Sequence, residues 1–411
     1  MLRSWRAVVA RFRALLRSDA AAVRAGFVAL LISSGGDLLA GLVLGSITGT
    51  LEALPGLLVL VPAAIGMRGN VFGALGSRLG TAIHTGTFQL SRRRDTVVGQ
   101  NLAAAFAMSL GISLVLAILA KAIAVAFGIE NTISVADFVV ISVIGGFLSS
   151  IVVMGITVGV ATLSVRRGWD LDNVSAPIVT AAGDMVTLPA LFLATYLVGF
   201  EWVTPVIAVL CAIAAVSALV ASFRSTAPIL RRIARESLPV LVLAGTVDVI
   251  AGLTIEKRFE SFLLYPALLV LVPSFLEDSG ALGGILTARI ATKLHIGTLE
   301  PGRGSLRAVG PDIMLIYLYA IPVFFLLGVS ADIASWAVGL ASPGILEMIA
   351  VSMLAGAFAT TFAVMIGFYG AIATYRLGLD PDNHGIPIVT SSLDLLGAFA
   401  LILAIVALGL S

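Results

Sequence analysis

Long apolar runs, separated by short polar or glycine- and proline-rich stretches, dominate the hydropathy pattern of this chain. Each run is about 20 residues or longer, the length that an α-helix needs to cross a bilayer. A transmembrane β-barrel would show short segments of alternating polarity instead. The pattern therefore predicts an all-α polytopic membrane protein. We place eleven spans at residues 25–51, 54–90, 97–127, 138–165, 174–200, 203–223, 236–256, 261–297, 309–330, 345–375 and 385–410.

The composition supports a membrane protein, since 59% of the 411 residues are hydrophobic and only 12% are charged. A soluble domain carries about twice that charged fraction. The single cysteine, Cys211, lies within an apolar run, so the sequence offers neither a disulfide framework nor a thiolate metal cluster. The arginines of residues 1–24 alternate with apolar residues, which predicts a basic amphipathic segment on the cytoplasmic membrane surface.

Basic residues are unevenly distributed between the two sets of loops. If the N-terminus is cytoplasmic, the arginines outside the spans fall on that side, and the opposite loops hold only Lys257 and Arg258. Basic loops are typically cytoplasmic. We therefore predict a multi-pass protein of the plasma membrane with its N-terminus in the cytoplasm and its C-terminus outside.

The two halves of the chain repeat each other. The segment LLVLVP occurs at residues 57–62 and again at residues 268–273, an offset of 211. The same offset maps Asp37 onto Asp248, and after one deleted residue an offset of 210 continues the correspondence. Such matches of rare polar residues are hard to obtain from composition bias.

A five-span unit begins and ends on opposite sides of the membrane, so two copies in the same orientation need one extra crossing. The run 203–223 has no counterpart and supplies that crossing. We therefore predict two parallel five-span repeats related by a pseudo-two-fold axis along the membrane normal. The predicted units are a basic segment at 1–24, a first repeat at 25–200, a linking span and cytoplasmic loop at 201–235, and a second repeat at 236–411.

Two nearly identical heptapeptides, IVTAAGD and IVTSSLD, end at Asp184 and Asp394. Each aspartate lies about ten residues into its predicted span, close to the bilayer midplane. A carboxylate at that depth usually faces a watery pathway or a partner. The repeat would place the two carboxylates face to face, and a divalent cation between them would remove their repulsion. The alternative is a protonated or helix-capping aspartate with a packing role.

Thr180 and Thr390 precede these aspartates by one helical turn and share their helix face. Hydroxyl and carboxylate oxygens suit a hard cation that keeps its waters, as Mg²⁺ does. The sequence has no His and Cys cluster that would favour zinc or copper. Ordinary helix packing is the alternative for the threonines.

The second predicted span contains PAAIGMRGN at residues 62–70, and its counterpart in the eighth is PSFLEDSGA at residues 273–281. Proline and glycine at these positions predict broken helices whose carbonyl groups face the pathway. Glu277 and Asp278 have no acidic match in the first repeat. They would form an asymmetric cation site or pair with Arg68 across the axis.

Asp37 and Asp248 lie inside the first and seventh predicted spans and could form a second relay or a sodium or proton site. For this pair we favour a hydrogen bond to a neighbouring helix. Other matched polar residues have simpler interpretations, as interfacial packing or as charges at helix starts. They are Arg78, His84, Arg289 and His295 in the first group and Asp170, Asp172, Asp380 and Asp382 in the second.

With these residues assembled, the chain resembles the membrane domain of the MgtE magnesium channels and, more closely, their internally duplicated relatives, the solute carrier 41 magnesium transporters. The motifs are PAAIGMRGNVFGALGSR, PALLVLVPSFLEDSGALGGILTAR and two P-I-V-T-x-x-x-D runs. The resemblance implies that Asp184 and Asp394 bind hydrated Mg²⁺ and that the second, fifth, eighth and eleventh spans line the pore. MgtE also has large cytoplasmic regulatory domains, and we expect no gating by such domains here. Asn70 is replaced by Ala281 in the second repeat, so the pore need not be symmetric.

The function that we predict is transport of divalent cations, Mg²⁺ first, through a central pathway between the repeats. The main alternative is a secondary transporter of another cation or small solute, coupled to Na⁺ or H⁺. A carrier of anions would need basic residues at the midplane, where Arg68 is the only clear candidate. No HExxH or GxSxG motif is present, so we expect no enzyme. The expected partners are the cation and the lipid bilayer, without nucleic acid, and a monomer in which two repeats replace a dimer.

Overall fold

Helices make up all the regular secondary structure in the described part of a computed structural model of the chain. Eleven of the described helices are long and apolar enough to cross a membrane, which confirms the all-α class and the predicted number of spans. The structure describes Phe12 and residues 20–91, 93, 95–167, 171–300, 308–379 and 385–410. Spans 1 to 11 are Ala20–Ser46, Leu57–His84, Val97–Ala126, Val135–Arg167, Leu171–Thr195, Val203–Phe223, Pro228–Glu256, Ala267–His295, Gly310–Ala337, Ile345–Arg376 and Ile386–Ala407.

Some predicted features lie outside the described residues. Most of the basic segment 1–24 belongs to them, with Phe12 and residues 20–24 as the exceptions. The predicted helix-start charges Asp170, Asp380 and Asp382 also lie outside, as does the side chain of Asp172.

Two short helices, Thr48–Ala53 and Phe259–Leu264, interrupt what the sequence predicted as the end of the first span and the start of the eighth. The first residues of the two helices are 211 positions apart, and so are their last residues, which is the offset found in the sequence. Gly56, which precedes span 2, has a φ of 92°, a left-handed conformation that glycine adopts without steric cost. The short helix recurs in both halves, but the left-handed residue does not, since the equivalent Ala267 already begins span 8.

The prediction that the second and eighth spans are broken is wrong. Span 2 is one helix that contains Pro62, and span 8 is one helix that contains Pro273. Each proline lies near the start of its helix, so it removes only one internal hydrogen bond from the second turn. Residues on both sides of each proline are buried, and this packing holds the helix together.

Span 7 begins at Pro228, earlier than the predicted start at 236. Proline is favoured in the first turn of a helix because the missing amide has no partner there. Leu230 and Ile233 pack against Ala104 of span 3, so the polar residues around them are part of an amphipathic helix. The sequence prediction treated these polar residues as a loop.

The two halves interlock through their first spans. Span 1 packs on span 8, and span 7 packs on span 2. A side chain on Gly41 would collide with the backbone carbonyl of Val270, and one on Gly252 would collide with that of Val59. The offset of 211 relates both residues of one contact to those of the other, so the same glycine contact joins the halves twice.

The centre of the bundle is formed by equivalent spans from each half. Span 5 packs on spans 1 and 2, and span 11 packs on spans 7 and 8. Span 6 lies outside this group against spans 3 and 4, and it exposes Val206, Leu210 and Ile213. Such an apolar surface suits contact with lipid, while spans 1, 2, 5, 7, 8 and 11 position the candidate site.

Candidate cation site

A small cavity lies between spans 2 and 8, and both contribute equivalent positions to it. It has room for about one water-sized particle. Asp394 of span 11 completes the wall. The lining residues are Val61, Pro62, Ile65 and Gly66 from span 2 and Val272, Pro273, Leu276 and Glu277 from span 8.

Asp394 and Asp248 lie side by side next to Gly66. A Cβ on this glycine would lie 3.1 Å from Asp248 Oδ2 and 3.6 Å from Asp394 Oδ2. Asp248 is fully buried, and neither of its carboxyl oxygens accepts a hydrogen bond. Both carboxyl groups thus approach span 2 at a position that has no side chain.

Asp37 and Asp184 form the corresponding pair in the first half. Their carboxyl groups lie close enough to interact directly. Both residues are buried, and none of their four carboxyl oxygens has a hydrogen-bond donor. Asp37 therefore lies beside an aspartate of a neighbouring helix, as Asp248 does, and the hydrogen bond to a neighbouring helix that we favoured for both stays a prediction.

Glu277 connects the two pairs. Its charge acts on Asp37, Asp184, Asp248 and Asp394, and Asp184 also acts on Asp394. Asp278 acts on Asp37 and is itself affected by Glu277, so six carboxyl groups from spans 1, 5, 7, 8 and 11 form one electrostatic cluster at the centre of the bundle. Ionised carboxylates in such a cluster repel one another unless protons or cations neutralise them.

Asp278 lies next to Glu277 and has no counterpart in the first half. It accepts a hydrogen bond of 2.5 Å from the Ser34 hydroxyl, while its other carboxyl oxygen has no partner. At the equivalent place in the first half, the sulfur of Met67 lies 3.6 Å from where a Cβ on Gly245 would be. The contact is therefore polar in one half and apolar in the other.

Thr180 and Thr390 pack on equivalent glycines. If Gly69 carried a Cβ, it would lie 3.8 Å from the Thr180 methyl group. A Cβ on Gly280 would lie 3.5 Å from the Cβ of Thr390. The Thr390 hydroxyl donates a hydrogen bond of 3.1 Å to the carbonyl of Pro387 in its own helix. These contacts support the packing alternative for the threonines, and their role as cation ligands stays a prediction.

Arg68 does not pair with the acidic residues of span 8, contrary to one of the two alternatives drawn from the sequence. Its guanidinium donates to the hydroxyls of Ser109, Ser113 and Ser149 at 2.7, 2.9 and 3.0 Å. These serines belong to spans 3 and 4, so the guanidinium faces away from the cavity. Sequence reasoning missed them, although Ser109 and Ser113 are four residues apart and share a helix face.

The matched arginines near the ends of spans 2 and 8 join neighbouring helices. Arg78 donates to the side-chain oxygen of Asn101 at 2.8 Å, and Arg289 donates to Asp312 at 2.9 Å. Asp312 also pairs with Lys293. These contacts agree with the packing role predicted for the two arginines and place them outside the central cluster.

No three His, Cys, Asp or Glu side chains of the described residues converge closely enough to ligate one metal ion together. The polar side chains in the mainly apolar wall of the cavity are the carboxylates of Glu277 and Asp394, and carboxylate oxygens are ligands that hard divalent cations prefer. The arrangement can therefore attract a cation electrostatically and hold it through its own waters.

Comparison with known proteins identifies the chain. The profile of MgtE, described as a divalent cation transporter, matches residues 61–194 and again residues 272–404, together more than half of the chain. The chain belongs to the MgtE family of divalent cation transporters. The two matches start 211 residues apart and end 210 residues apart, the same offsets that relate the aspartates of this MgtE-family chain.

Relatives of the solute carrier 41 type confirm the resemblance. Solute carrier family 41 member 3 of Rattus norvegicus is 26% identical over 415 residues, which cover 92% of this chain and 85% of the relative. Member 3 of Mus musculus is 27% identical, with 84% and 74% covered. Member 2 of Homo sapiens is 26% identical, with 84% and 63% covered. No solved structure matches the chain.

Proposed function

We propose that this chain transports Mg²⁺ along a pathway between its two halves, and that Asp184 and Asp394 hold the ion with help from Asp37, Asp248 and Glu277. The observation that carries the proposal is the central cluster of buried carboxyl groups. None of the oxygens of Asp37, Asp184 and Asp248 accepts a well-formed hydrogen bond, so the burial of their charge is costly.

A cation explains why such a cluster is kept inside the membrane. Each carboxylate without a partner is costly in a medium of low polarity, and several together repel one another. A divalent cation removes both costs at once. The same carboxylates then lower the free energy of the ion, which has itself lost part of its contact with bulk water.

The chemistry of the cluster favours a hard ion. Mg²⁺ prefers oxygen ligands and gives up its waters reluctantly, so proteins often bind it through one or two carboxylates and retained waters. Soft metals favour thiolate or imidazole, and the chain has one cysteine and three histidines. Carboxylates that contact the ion through its waters therefore suit Mg²⁺.

The cavity is too small for a hydrated ion in this conformation, since it has room for about one water-sized particle. Mg²⁺ passage through it then requires spans 2 and 8 to move apart. Apolar residues beside Pro62 and Pro273, among them Val61 and Val272, line the cavity. We propose that this conformation is a closed state of the pathway.

Coupled transport of a cation with Na⁺ or H⁺ is the second candidate. It is favoured by Asp278, a buried carboxylate of the cluster that has no counterpart in the first half and accepts a hydrogen bond from Ser34. A carrier of anions finds less support, because Arg68 is directed at serines of spans 3 and 4. We further propose that the chain is monomeric and lies in the plasma membrane with a cytoplasmic N-terminus.

The test is Mg²⁺ flux into proteoliposomes, measured with an internal Mg²⁺ dye for the parent chain and for Asp184→Asn and Asp394→Asn. Loss of a charge that holds the ion should lower flux about tenfold or more for at least one of the two variants, since a factor of ten corresponds to about 1.4 kcal/mol. Flux with and without a Na⁺ or pH gradient separates the two candidates.

Glu236→Gln is the matched control, because Glu236 is exposed and pairs with Arg232 on the surface of span 7. Its flux should equal that of the parent. Undiminished flux in both aspartate variants would remove these residues from the mechanism and overturn the proposed function.

A further inference from the structure

We propose that the cation binds on one side of the pathway, at Asp394 and Glu277 of the second half, against the bare backbone of Gly66 in the first half, while the buried Asp248 adds its charge without lining the cavity. This inference rests on the proposed function. It differs from a symmetric site in which Asp184 and Asp394 share the ion equally.

The lining of the cavity is the first support. The acidic residues in its wall, Glu277 and Asp394, both belong to the second half and both are partly exposed to it. The first-half counterpart of Asp394 is Asp184, which is 1% exposed and does not line the cavity. An ion that enters the cavity therefore meets carboxylates of the second half first.

The exchange of glycine for glutamate at equivalent positions is the second support. Gly66 and Glu277 correspond through the offset of 211 and face each other across the cavity. Glu277 gives the second half an additional carboxylate, and Gly66 leaves space on the side of the first half because it has no side chain. Because Coulomb attraction falls with distance, the ion should lie nearer the side with more carboxylates.

Asp248 is the third support. It is buried without a hydrogen-bond donor, and its Oδ2 is directed at the place where a Gly66 side chain would begin. It lies beside Asp394 and adds its charge to the same point. Asp248 thus adds its charge beside the two carboxylates that line the cavity, whereas Asp37 and Asp184 lie beside each other and neither lines it.

The separate first-half pair then has a different role. Asp37 and Asp184 lie beside each other and feel the charge of Glu277. We assign them to a weaker second position, which an ion occupies after leaving the first. Two positions of unequal strength let an ion bind and still leave, as transport requires.

The decisive experiment compares carboxylate variants of the full chain in proteoliposomes by the Mg²⁺ concentration that gives half-maximal flux. Asp394→Asn and Glu277→Gln should each raise this concentration about tenfold or more. Asp184→Asn should raise it by less than about threefold, because that carboxylate does not line the cavity. Equally large increases for Asp184→Asn and Asp394→Asn would overturn the one-sided site and leave the proposed function intact.

A backbone variant tests the same site without removing charge. Gly66→Ala places a methyl group about 3 to 4 Å from two carboxylates, where it displaces water and ion. It should raise the half-maximal Mg²⁺ concentration several-fold. Gly73→Ala, in the same helix with nothing within 4 Å of its added methyl group, should match the parent.

Binding is measured separately from flux by the rise in melting temperature that Mg²⁺ produces in detergent, since a ligand of the folded state stabilises it. The rise should be smaller for Gly66→Ala and Glu277→Gln than for Gly73→Ala and Asp184→Asn. A full rise in Gly66→Ala and Glu277→Gln would contradict the one-sided site. If no variant alters either flux or the Mg²⁺-dependent shift, the proposed function itself fails.

Discussion

Buried polar residues in this protein fall into two groups that differ in their partners. Arg68 is surrounded by hydroxyl groups that accept its hydrogen bonds, which gives it a structural role between spans 2, 3 and 4. Asp37, Asp184 and Asp248 are equally buried and have no donors. Buried polar groups are normally hydrogen-bonded. A cation bound beside the second group would therefore stabilise the folded protein more than one bound beside Arg68.

Glycine contacts at the interface between the halves provide a prediction at the residue scale. A Cβ on Gly252 would lie 2.7 Å from the carbonyl oxygen of Leu58, which is too close for any side chain. Gly252→Ala should lower the free energy of unfolding by about 1–3 kcal/mol, because span 7 must move away from span 2. Denaturant or thermal unfolding in detergent measures this loss.

Gly155→Ala is the matched control in span 4, since an added methyl group there meets nothing within 4 Å. It should leave stability unchanged or raise it slightly, because alanine is the better helix former. A Gly252→Ala variant as stable as the Gly155→Ala variant would contradict the close packing between spans 7 and 2.

At the scale of helices, each half completes its structure with elements of the other. Glu256, the last residue of span 7, accepts hydrogen bonds from the amides of Gly56 at 2.8 Å and Leu58 at 3.2 Å. Amides at a helix start have no partner within the helix, and the positive end of the helix dipole favours a carboxylate. The second half caps span 2 in this way, whereas Gly45, the counterpart of Glu256, has no side chain to cap span 8.

Removal of this cap is a prediction about one element. Glu256→Ala should lower the free energy of unfolding by about 1 kcal/mol, the usual cost of losing a helix cap. Glu256→Gln keeps a hydrogen-bond acceptor and should lose less. Melting temperatures in detergent would show this order, and equal values for both variants and the parent would show that the cap contributes nothing to stability.

At the scale of the whole molecule, the helices of the two halves make corresponding contacts while their central residues differ. Spans 1 and 8 pack as spans 7 and 2 do, and both short helices follow the offset of 211. Glu277 and Asp278 nonetheless occupy the positions that Gly66 and Met67 occupy in the first half. A shared framework with unequal centres is suited to a pathway in which an ion meets different environments in succession.

The orientation in the membrane is the prediction at this scale. After Cys211→Ala, single cysteines are introduced by Glu130→Cys and Thr226→Cys, both at exposed positions between spans. A membrane-impermeant maleimide should label intact cells at position 130 and leave position 226 unlabelled until the cells are opened. The reverse pattern would invert the predicted topology.

The hydropathy pattern and the repeat determined much of this protein without a structure. Apolar runs about 20 residues long must be spanning helices, because the bilayer interior has no water to hydrogen-bond backbone amides and carbonyls that are unpaired within the protein. The fixed offset between halves paired Asp37 with Asp248 and Gly41 with Gly252. Single aspartates in apolar runs indicated the candidate site, since charge at that depth is costly.

Tertiary structure alone decided which partners these residues meet. Interhelical packing placed Asp37 beside Asp184, directed Arg68 toward serines and left Glu277 opposite Gly66. It also kept spans 2 and 8 continuous through their prolines. Local sequence specifies the helix and its depth in the membrane, whereas the direction of a side chain depends on neighbours that lie as far as 296 residues away along the chain.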